Sequence, residues 1–400
     1  MDRLTRRRFL IASGVAGSAV LAGGAGVFTL REILATSDWQ DRPADAKTLV
    51  MITLYGGNDG LNTVIPYADA AYHDARPELS YAPDQVLHLD GALGLNPGMK
   101  NFKRLFDAKR LAIVRGVGYP KPDHSHFRSM DIWQTGQPDS PGTTGWLGRW
   151  LDATGGDPRH AVSFEPVLPP LLAGANTAGA AVPLTGGFTL AKAVQAACTG
   201  FGHASPGESP LQARAARAFA DLVEVDAMVH GVASAGPGKT DGALARQLDL
   251  VARCVEAGVA TRVFSVSLGG FDTHADEKDT QQRLLGELDT AVGSFVDRMA
   301  RTEAGRRVVV AIYSEFGRRV RANASQGTDH GTASDLFVLG APVRGGFHGA
   351  QPSLADLDAG DLKYTTDFRD VYATLLARVL GADPGKILGG WKGRLDGVLG

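Results

Sequence analysis

A short apolar segment followed by a long polar loop is the feature that constrains this chain most. Val308 to Tyr313 is an unbroken apolar run rich in β-branched residues. It is too short for a helix and typical of a strand that is buried on both faces. A second such strand is predicted from Asp335 to Leu339. The loop between them, Glu315 to Ser334, is long for a connection between core strands, and ordered loops of this length are usually functional.

This loop carries both ligand-type and cationic side chains. Glu315 follows the first strand, and Asp329 and His330 stand shortly before the second. Carboxylate and imidazole donors suit Zn²⁺ or Mn²⁺ better than Ca²⁺ or Mg²⁺. Arg318 and Arg319 are candidates for binding the anionic group of a substrate, because guanidinium groups bind phosphate and sulfate bidentately. The alternatives are a solvated loop face for the arginines, or an arginine in place of a metal as the neutralising partner of Glu315.

Three further apolar segments end in the same way. The predicted strands are 49–54, 111–114 and 263–268. The polar groups that follow them are Asn58-Asp59, Asp123-His124-Ser125-His126 and Asp272-Thr273-His274, respectively. In an open α/β sheet such loops converge at the carboxyl ends of the strands, where ligands bind. One such loop would be an ordinary turn, but four of them, three with histidine, favour a single shared site.

We expect this site to hold a divalent metal, with Zn or Mn as the expected ion. The predicted ligands are carboxylates and imidazoles of the strand-end loops, namely Asp59, Asp272, His274, Glu315 and His330. Asp272 and His274 share one turn, so they can bind the same ion or each other. Turn formation is the alternative role for Asp59 and Asp272.

Ser125 lies between two histidines at the predicted start of a helix. A hydroxyl in this place has the position of a nucleophile, because the N-terminus of a helix stabilises a phosphoryl group. Serine is also a common helix N-cap, which is the alternative interpretation. His124 and His126 are interpreted as metal ligands or as acid–base groups. The predicted catalytic group is therefore Ser125 with these two histidines.

Helices are predicted between the strands. They cover about 96–109, 125–134, 209–230, 241–257, 279–302 and 367–380. Strands that alternate with long helices predict an α/β fold with a mostly parallel central sheet and helices on both faces. Residues 136–205 are rich in Gly, Pro, Ala and Thr. We interpret them as an insertion in a single domain that spans 36–400.

Residues 1–35 are interpreted as an export signal and set apart from the fold. Arg6-Arg7 precede an uncharged, glycine-rich stretch from Ile11 to Leu30, which is typical of a twin-arginine signal. The expected partner is the twin-arginine translocase and the expected location is the periplasm. A retained signal that anchors the chain in a membrane is the alternative. The signal contains five arginines and two acids, so the remainder has a formal charge of −5, which argues against a nucleic-acid partner.

Several of these motifs together resemble a known bacterial family. They are the twin-arginine leader, LYGGNDGLNTVIPY, HSHFRSMDIWQTG, SLGGFDTHADE and YSEFGRR…TDHGTASDLFVLGAPVRGG. The chain is similar to domain-of-unknown-function family 1501 over nearly all of the part that follows the leader. That family is placed with the alkaline phosphatase and sulfatase superfamily. The resemblance therefore implies an alkaline-phosphatase-like fold, strand-end Asp and His ligands for one or two metals, and a small anionic ester of phosphate or sulfate as the substrate.

The resemblance also implies an order of site residues along the chain. The matching positions are Asp59, Ser125, Asp272 with His274, Glu315, and His330. The Asp/His pair is spaced more closely than in the superfamily, and Phe316 stands where the superfamily has a histidine. These departures favour one metal site over two. They also keep a second function open, that of a non-catalytic periplasmic binding or assembly factor with a degenerate metal site.

Overall fold

The computed structural model describes residues 33–34, 45–165, 167–182 and 242–400. The twin-arginine motif and the predicted helix at 209–230 lie outside these ranges. The chain divides into two compact units. The larger comprises Pro43–Thr143, Asp241–Glu256 and Ser265–Gly400, and the smaller comprises Met1–Arg42, Thr144–Thr240 and Ala257–Phe264. The four strand-end loops predicted to form the site all belong to the larger unit.

The predicted core strands are present, each one to four residues longer than its apolar run. The strands of the described residues are β1 (Thr48–Tyr55), β2 (Val64–Ile65), β3 (Leu87–His88), β4 (Gly94–Leu95), β5 (Leu111–Gly118), β6 (Ala161–Ser163), β7 (Ala180–Ala181), β8 (Val263–Gly269), β9 (Val308–Ser314), β10 (Ser334–Leu339), β11 (Gly346–His348), β12 (Leu357–Asp358), β13 (Asp361–Leu362) and β14 (Thr366–Asp367). Every residue of β5 and β9 is buried. Their apolar runs therefore belong to strands covered on both faces.

The central sheet of the larger unit has the strand order β11-β5-β10-β9-β1-β8. Strands β1 and β9 are parallel, with Thr48 opposite Val308. Strands β11 and β14 are both parallel to β5. Strand β10 is antiparallel to its two neighbours, β5 and β9. The predicted class, α/β with a mostly parallel central sheet, is confirmed.

This topology brings the predicted loops to one edge of the sheet. Because β1 and β9 are parallel and in register, Tyr55 and Glu315 leave the sheet on the same side. The antiparallel β10 begins on that side, with Ser334 opposite Val117 near the end of β5. The turn after β8 joins them, since the N–H of Phe271 donates to the carbonyl of Tyr55 at 3.2 Å. Convergence therefore follows from strand direction.

Helices cover the sheet. In the described residues they are α1 (Ala70–Ala75), α2 (Lys100–Asp107), α3 (His126–Thr135), α4 (Trp146–Ala153), α5 (Ala243–Glu256), α6 (Glu277–Met299), α7 (Phe368–Leu375) and α8 (Pro384–Ile387), with a π-helical turn at Leu376–Leu380. Short 3₁₀ turns lie at Gly60–Asn62, Pro83–Gln85, Pro158–His160, Pro170–Leu172 and Gly305–Arg307. The longest helix, α6, buries the apolar face that its 3.6-residue period predicts.

Most helix boundaries lie close to the predicted ones, and their caps explain the ends. Helix α3 ends at Gly136, which has φ of 69° and supplies the left-handed residue that a helix C-terminus favours. Helix α7 starts after Asp367, whose carboxylate accepts from the N–H of Arg369. Helix α2 begins four residues later than predicted, because the Asn96 side chain caps a separate turn through the N–H of Gly98.

The smaller unit contains α4 and the parallel strand pair of β6 and β7. Its core includes the buried indoles of Trp146 and Trp150. The predicted insertion, 136–205, overlaps this unit, and its residues 183–205 lie outside the described ranges. A helix long and apolar enough to cross a bilayer does not occur in the part of the chain that the structure describes.

Candidate metal centre

Three imidazoles converge on one carboxylate oxygen at the site edge of the sheet. The Oδ1 atom of Asp272 lies 2.9 Å from Nε2 of His274, 3.2 Å from Nε2 of His330 and 3.4 Å from Nε2 of His126. The Nε2 atoms of His274 and His330 are 3.0 Å apart. His126, Asp272 and His330 can together present one ligand atom each to a metal ion. The structure thus brings together three loops that sequence analysis assigned to one site.

The Nδ1 atom of each imidazole is already engaged. His126 Nδ1 lies 2.8 Å from Oε1 of Glu315, and His274 Nδ1 lies 3.3 Å from Oδ1 of Asp329. His330 Nδ1 lies 2.7 Å from the backbone carbonyl of His124. Carboxylate and carbonyl oxygens only accept hydrogen bonds, so each Nδ1 carries the proton. This is the arrangement of metal-binding histidines, in which an outer oxygen fixes the tautomer and leaves Nε2 as the donor atom.

The donor atoms in this cluster could bind a cation in addition to the guanidinium of Arg318. With Nδ1 protonated, a neutral imidazole has a lone pair at Nε2, and three such atoms then face the Asp272 carboxylate. His126 Nε2 is buried and makes no hydrogen bond within the described residues. Protons on Nε2 would satisfy the short contacts of His274 and His330, but two imidazolium groups whose Nε2 atoms are 3.0 Å apart repel each other. His126, Asp272 and His330 can each offer one ligand atom to an ion, and His274 Nε2 lies 2.9 Å from Asp272 Oδ1, so the residues present fit a divalent metal.

The same contacts shift the pKa values of the ligand side chains. Partial burial acts to raise the pKa of Asp272, but the hydrogen bond from Arg318 and the interaction with His330 outweigh it and lower that pKa to about 2. The hydrogen bond to Glu315 raises the pKa of His126. Burial lowers the pKa of His330. Asp272 is therefore an anion at any pH at which a metal binds.

Arg318 is part of the framework of the site and is not exposed to a substrate. Its side chain is fully buried. It donates to the carbonyls of Gly57 at 2.6 Å and Thr328 at 2.9 Å, and also to that of Gly56. Its Nη2 also donates to the carbonyl of Phe271 and, at 2.8 Å, to Asp272 Oδ1. Arg318 was predicted to bind the anionic group of a substrate. In the structure its guanidinium already donates to three loops of the protein.

Phe316 forms the floor beneath two of the imidazoles. Its ring centroid is 4.8 Å from that of His126 and 4.9 Å from that of His330. The ring also packs against Gly57, where an added Cβ would stand 2.2 Å from Cε2 of the phenyl ring. Only glycine leaves this space, and its φ of +71° favours glycine as well. The position that departs from the superfamily pattern is therefore an apolar support for the ligands.

Ser125 is exposed at the start of α3 and does not cap it through its side chain, as far as the described contacts extend. Its N–H donates instead to Oδ1 of Asp123 at 2.7 Å. The neighbouring His124 has its Nε2 atom 2.8 Å from Oδ2 of Asp361. The first-turn N–H groups of a helix have no intrahelical acceptor. The exposed hydroxyl of Ser125 and these donors are thus adjacent in the chain to His126, the first residue of α3.

Asp59 is held apart from the imidazole cluster. Its carboxylate forms a fully buried ion pair with the guanidinium of Arg76, with Nη2 at 3.0 Å from Oδ1. Glu277, also buried, accepts a hydrogen bond from the hydroxyl of Thr328 at 2.5 Å. Burial and the charge of Asp59 raise the pKa of Glu277 to about 9. Around Asp59 an arginine thus occupies the place that a metal was predicted to take.

The remaining predicted residues are Arg319, at the rim of the site, and Glu315, which is buried beside His126. Arg319 is partly exposed, and its Nε is 3.9 Å from Oδ1 of Asp361, so its guanidinium can still meet a substrate anion. Glu315 is buried and also accepts from the N–H of Gly56 at 2.9 Å; it acts as the outer partner of His126. Sequence analysis missed Asp361 because this residue follows a polar turn and is not preceded by an apolar run that predicts a core strand.

Comparisons with known proteins agree with the family suggested by the motifs. A family model described as "Protein of unknown function (DUF1501)" matches residues 119–399. Comparison with curated proteins gives no match. The chain is similar to the solved structure of a protein in the alkaline phosphatase superfamily from Vibrio parahaemolyticus, with 10% identity over 91% of this chain and 76% of that chain, and a TM-score of 0.41.

Two further solved structures are similar to this chain. One is the lipoteichoic acid synthase LtaP from Listeria monocytogenes, with 10% identity, coverage of 91% and 81%, and a TM-score of 0.38. The other is the phosphonate monoester hydrolase of Agrobacterium radiobacter, with 12% identity, coverage of 86% and 78%, and a TM-score of 0.34. At these scores the chemistry of the site rests on its own geometry. The family model, in contrast, covers more than half of the sequence, and the chain belongs to the family of proteins of unknown function DUF1501.

Proposed function

We propose that this protein is a metal-dependent hydrolase of phosphate or sulfate esters. One observation carries the proposal: three imidazole Nε2 atoms lie within 3.4 Å of Asp272 Oδ1 while each Nδ1 is held by an oxygen. The residues that would hold the metal are His126, Asp272, His274 and His330. When bound, the metal would act as a Lewis acid on the ester and offset negative charge on the nucleophile.

The chain's own residues supply the other parts of a hydrolase. Ser125 has an exposed hydroxyl at the N-terminus of α3, a ten-residue helix, where backbone N–H groups bind phosphoryl oxygens. Its Oγ forms a bond to phosphorus or sulfur as the bond to the ester oxygen breaks, and the proton that Ser125 loses balances the one that the departing alcohol gains. Water then cleaves the covalent intermediate and restores the hydroxyl. Arg319 stands at the rim to bind the anionic group.

The test combines elemental analysis with turnover of p-nitrophenyl phosphate and p-nitrophenyl sulfate. We expect about one Zn or Mn per chain and measurable turnover. Ser125→Ala should lose turnover and keep its metal, because its side chain makes no capping bond in the described part of the chain. Phe127→Ala, which alters the neighbouring exposed side chain, is the control for local disturbance. Bound metal without turnover on any ester would favour a non-catalytic periplasmic binding or assembly factor.

We also propose that the protein reaches the periplasm through the twin-arginine pathway. The proposal is supported by Arg6-Arg7 before the glycine-rich apolar stretch that ends at Leu30. Replacing both arginines by lysine should leave folded, metal-containing protein in the cytoplasm, as measured by fractionation. Arg31→Lys, beyond the apolar stretch, is the matched control and should be exported normally. Equal periplasmic yield of the double variant and the control would contradict the proposal.

A further inference from the structure

A chain of three contacts leads from a buried carboxylate to one of the proposed metal ligands. Oδ2 of Asp361 lies 2.8 Å from Nε2 of His124. The backbone carbonyl of His124 lies 2.7 Å from Nδ1 of His330. His330 Nε2 in turn faces Asp272 Oδ1 at 3.2 Å. Asp361 is thus connected to the metal centre through one intermediate residue.

Asp361 is in an unusual position for a carboxylate. Its side chain is only 3% exposed. Its Oδ1 atom has no hydrogen-bond partner in the described parts of the chain, although Nε of Arg319 lies 3.9 Å from it. It lies on β13, in a hairpin with β12 whose turn contains Ala359 and Gly360 at φ of 51° and 91°. A buried carboxylate with an unsatisfied oxygen costs stability unless it serves a purpose. The other oxygen, Oδ2, makes the short contact with His124 Nε2, and this contact is the role that we consider for Asp361.

The hairpin is attached next to the metal centre. Thr332, two residues after His330, donates through its hydroxyl to the carbonyl of Leu362 on β13 at 2.5 Å. The segment around His124, in contrast, lies before α3 and has no regular structure, and the His124 side chain is 45% exposed. The backbone of the neighbouring Asp123 is held by the hydroxyls of Tyr119 and Ser129, and the contact with Asp361 holds the side chain of His124. Without the Asp361 contact, the His124 side chain would lose its restraint among the described contacts, and the carbonyl that fixes the tautomer and orientation of His330 would be held less firmly.

We propose that Asp361 is a positioning residue of the metal centre, which holds the His124 segment so that the His124 carbonyl can orient His330. The inference rests on the metal site of the proposed function, but it does not depend on hydrolysis. Outer groups of this kind change metal affinity because they fix the ligand's tautomer and ring orientation. Asp361 therefore contributes to metal affinity without being a ligand.

The test measures Co²⁺ affinity by calorimetry and by the visible absorption of the bound ion. Asp361→Ala and His124→Ala should each weaken binding about 10- to 100-fold. The double variant should bind no more weakly than either single one, because both remove the same tether. Asp361→Asn should retain most of the affinity, since its amide oxygen still accepts from His124 Nε2. Asp358 is the exposed cross-strand neighbour of Asp361. Asp358→Ala is therefore the control and should leave affinity unchanged.

The possible outcomes separate this inference from the proposed function. Metal binding without hydrolysis removes the hydrolase proposal and leaves the inference supported if the variants behave as stated. Wild-type affinity in folded Asp361→Ala, or additive losses in the double variant, overturns the inference alone. A wild-type protein that binds no Co²⁺, Zn²⁺ or Mn²⁺ overturns both. If Asp361→Ala unfolds at too low a temperature for the affinity to be measured, Asp361→Leu replaces it. Equal losses of affinity in His124→Ala and Asp361→Leu support the inference. Unequal losses contradict it.

Discussion

Two polar clusters lie at the same edge of the sheet, and they differ in how their charges are balanced. Around Asp59, a carboxylate meets a guanidinium inside the protein, and both side chains are fully buried. Around Asp272, a carboxylate that is about half exposed meets three imidazoles. Asp59 has its charge balanced by one arginine inside the protein, whereas Asp272 is shared between the guanidinium of Arg318 and imidazole nitrogens that could also bind a metal ion. An aspartate after a strand is therefore structural or functional according to the partner that the fold brings to it.

The largest expected effect is the loss of metal from the Asp272 cluster. His330→Ala removes a ligand and should weaken Zn²⁺ binding by at least about 100-fold, since changes outside the ligand shell already cost 10- to 100-fold. His348→Ala is the matched control, because that imidazole contacts the carbonyl of Arg344. Titration with a competing chelator measures both. Tight binding in His330→Ala would remove the distinction between the two clusters.

The next effect concerns stability at the buried ion pair. Arg76→Leu leaves Asp59 buried without its partner and should lower the free energy of unfolding by about 3–5 kcal/mol. Arg104→Leu breaks an exposed ion pair with Asp297 and should cost less than about 1 kcal/mol. Denaturant unfolding compares the two variants. Similar small losses would mean that Asp59 is balanced by something other than Arg76.

A more gradual effect, smaller over any single pH unit, should appear as a pH dependence of stability. Burial and Asp59 raise the pKa of Glu277 from 4.5 to about 9, so the folded protein keeps a proton that the unfolded chain releases. The stability from this group is fully present below pH 4.5 and is lost as pH rises towards 9, by at most about 1.4 kcal/mol per pH unit. Glu277→Gln should lack this decline in melting temperature. Glu303→Gln, at an exposed ion pair, should follow the wild-type profile.

The smallest effect is expected at the exposed hydroxyl of Ser125. Ser125→Ala should change the free energy of unfolding by less than about 0.5 kcal/mol, as is usual for exposed positions without special contacts. Asp69→Ala provides the comparison, because Asp69 caps α1 through the N–H of Ala71, and its loss should cost about 1 kcal/mol. Thermal melts measure both. If Ser125→Ala lost more unfolding free energy than Asp69→Ala, the role of Ser125 would be structural.

The sequence predicted where the polar loops meet because strand direction decides it. Apolar runs such as 308–313 identify buried strands without any knowledge of their partners, and the residue after each run must then leave the sheet at one edge. Asp272, His274 and His330 were identified in this way, and the structure brings them together. What a residue does at that edge depends on side chains that are distant in the chain, and local patterns do not contain them.

Three residues illustrate this limit. Asp59 meets Arg76, which comes from the end of α1 and showed no pattern that pointed to it. Arg318 has the composition expected of an anion-binding loop, but its side chain turns inward and donates to backbone carbonyls. Asp361 reaches His124 from a hairpin more than 200 residues away in sequence. In each case a long-range contact decides between a metal ligand, a support and a substrate contact.

The inward side chain of Arg318 has a consequence for how the metal centre opens. Its guanidinium joins the loop after β1, the turn after β8 and the loop before β10 through carbonyls of Gly57, Phe271 and Thr328. None of these segments can leave its place without breaking a bond to the same group. We expect their amide hydrogens to exchange with solvent in one cooperative event, with a common opening free energy. In a population of molecules, all three segments would then be either in place or open together. Few molecules would have a partly ordered centre that binds metal weakly.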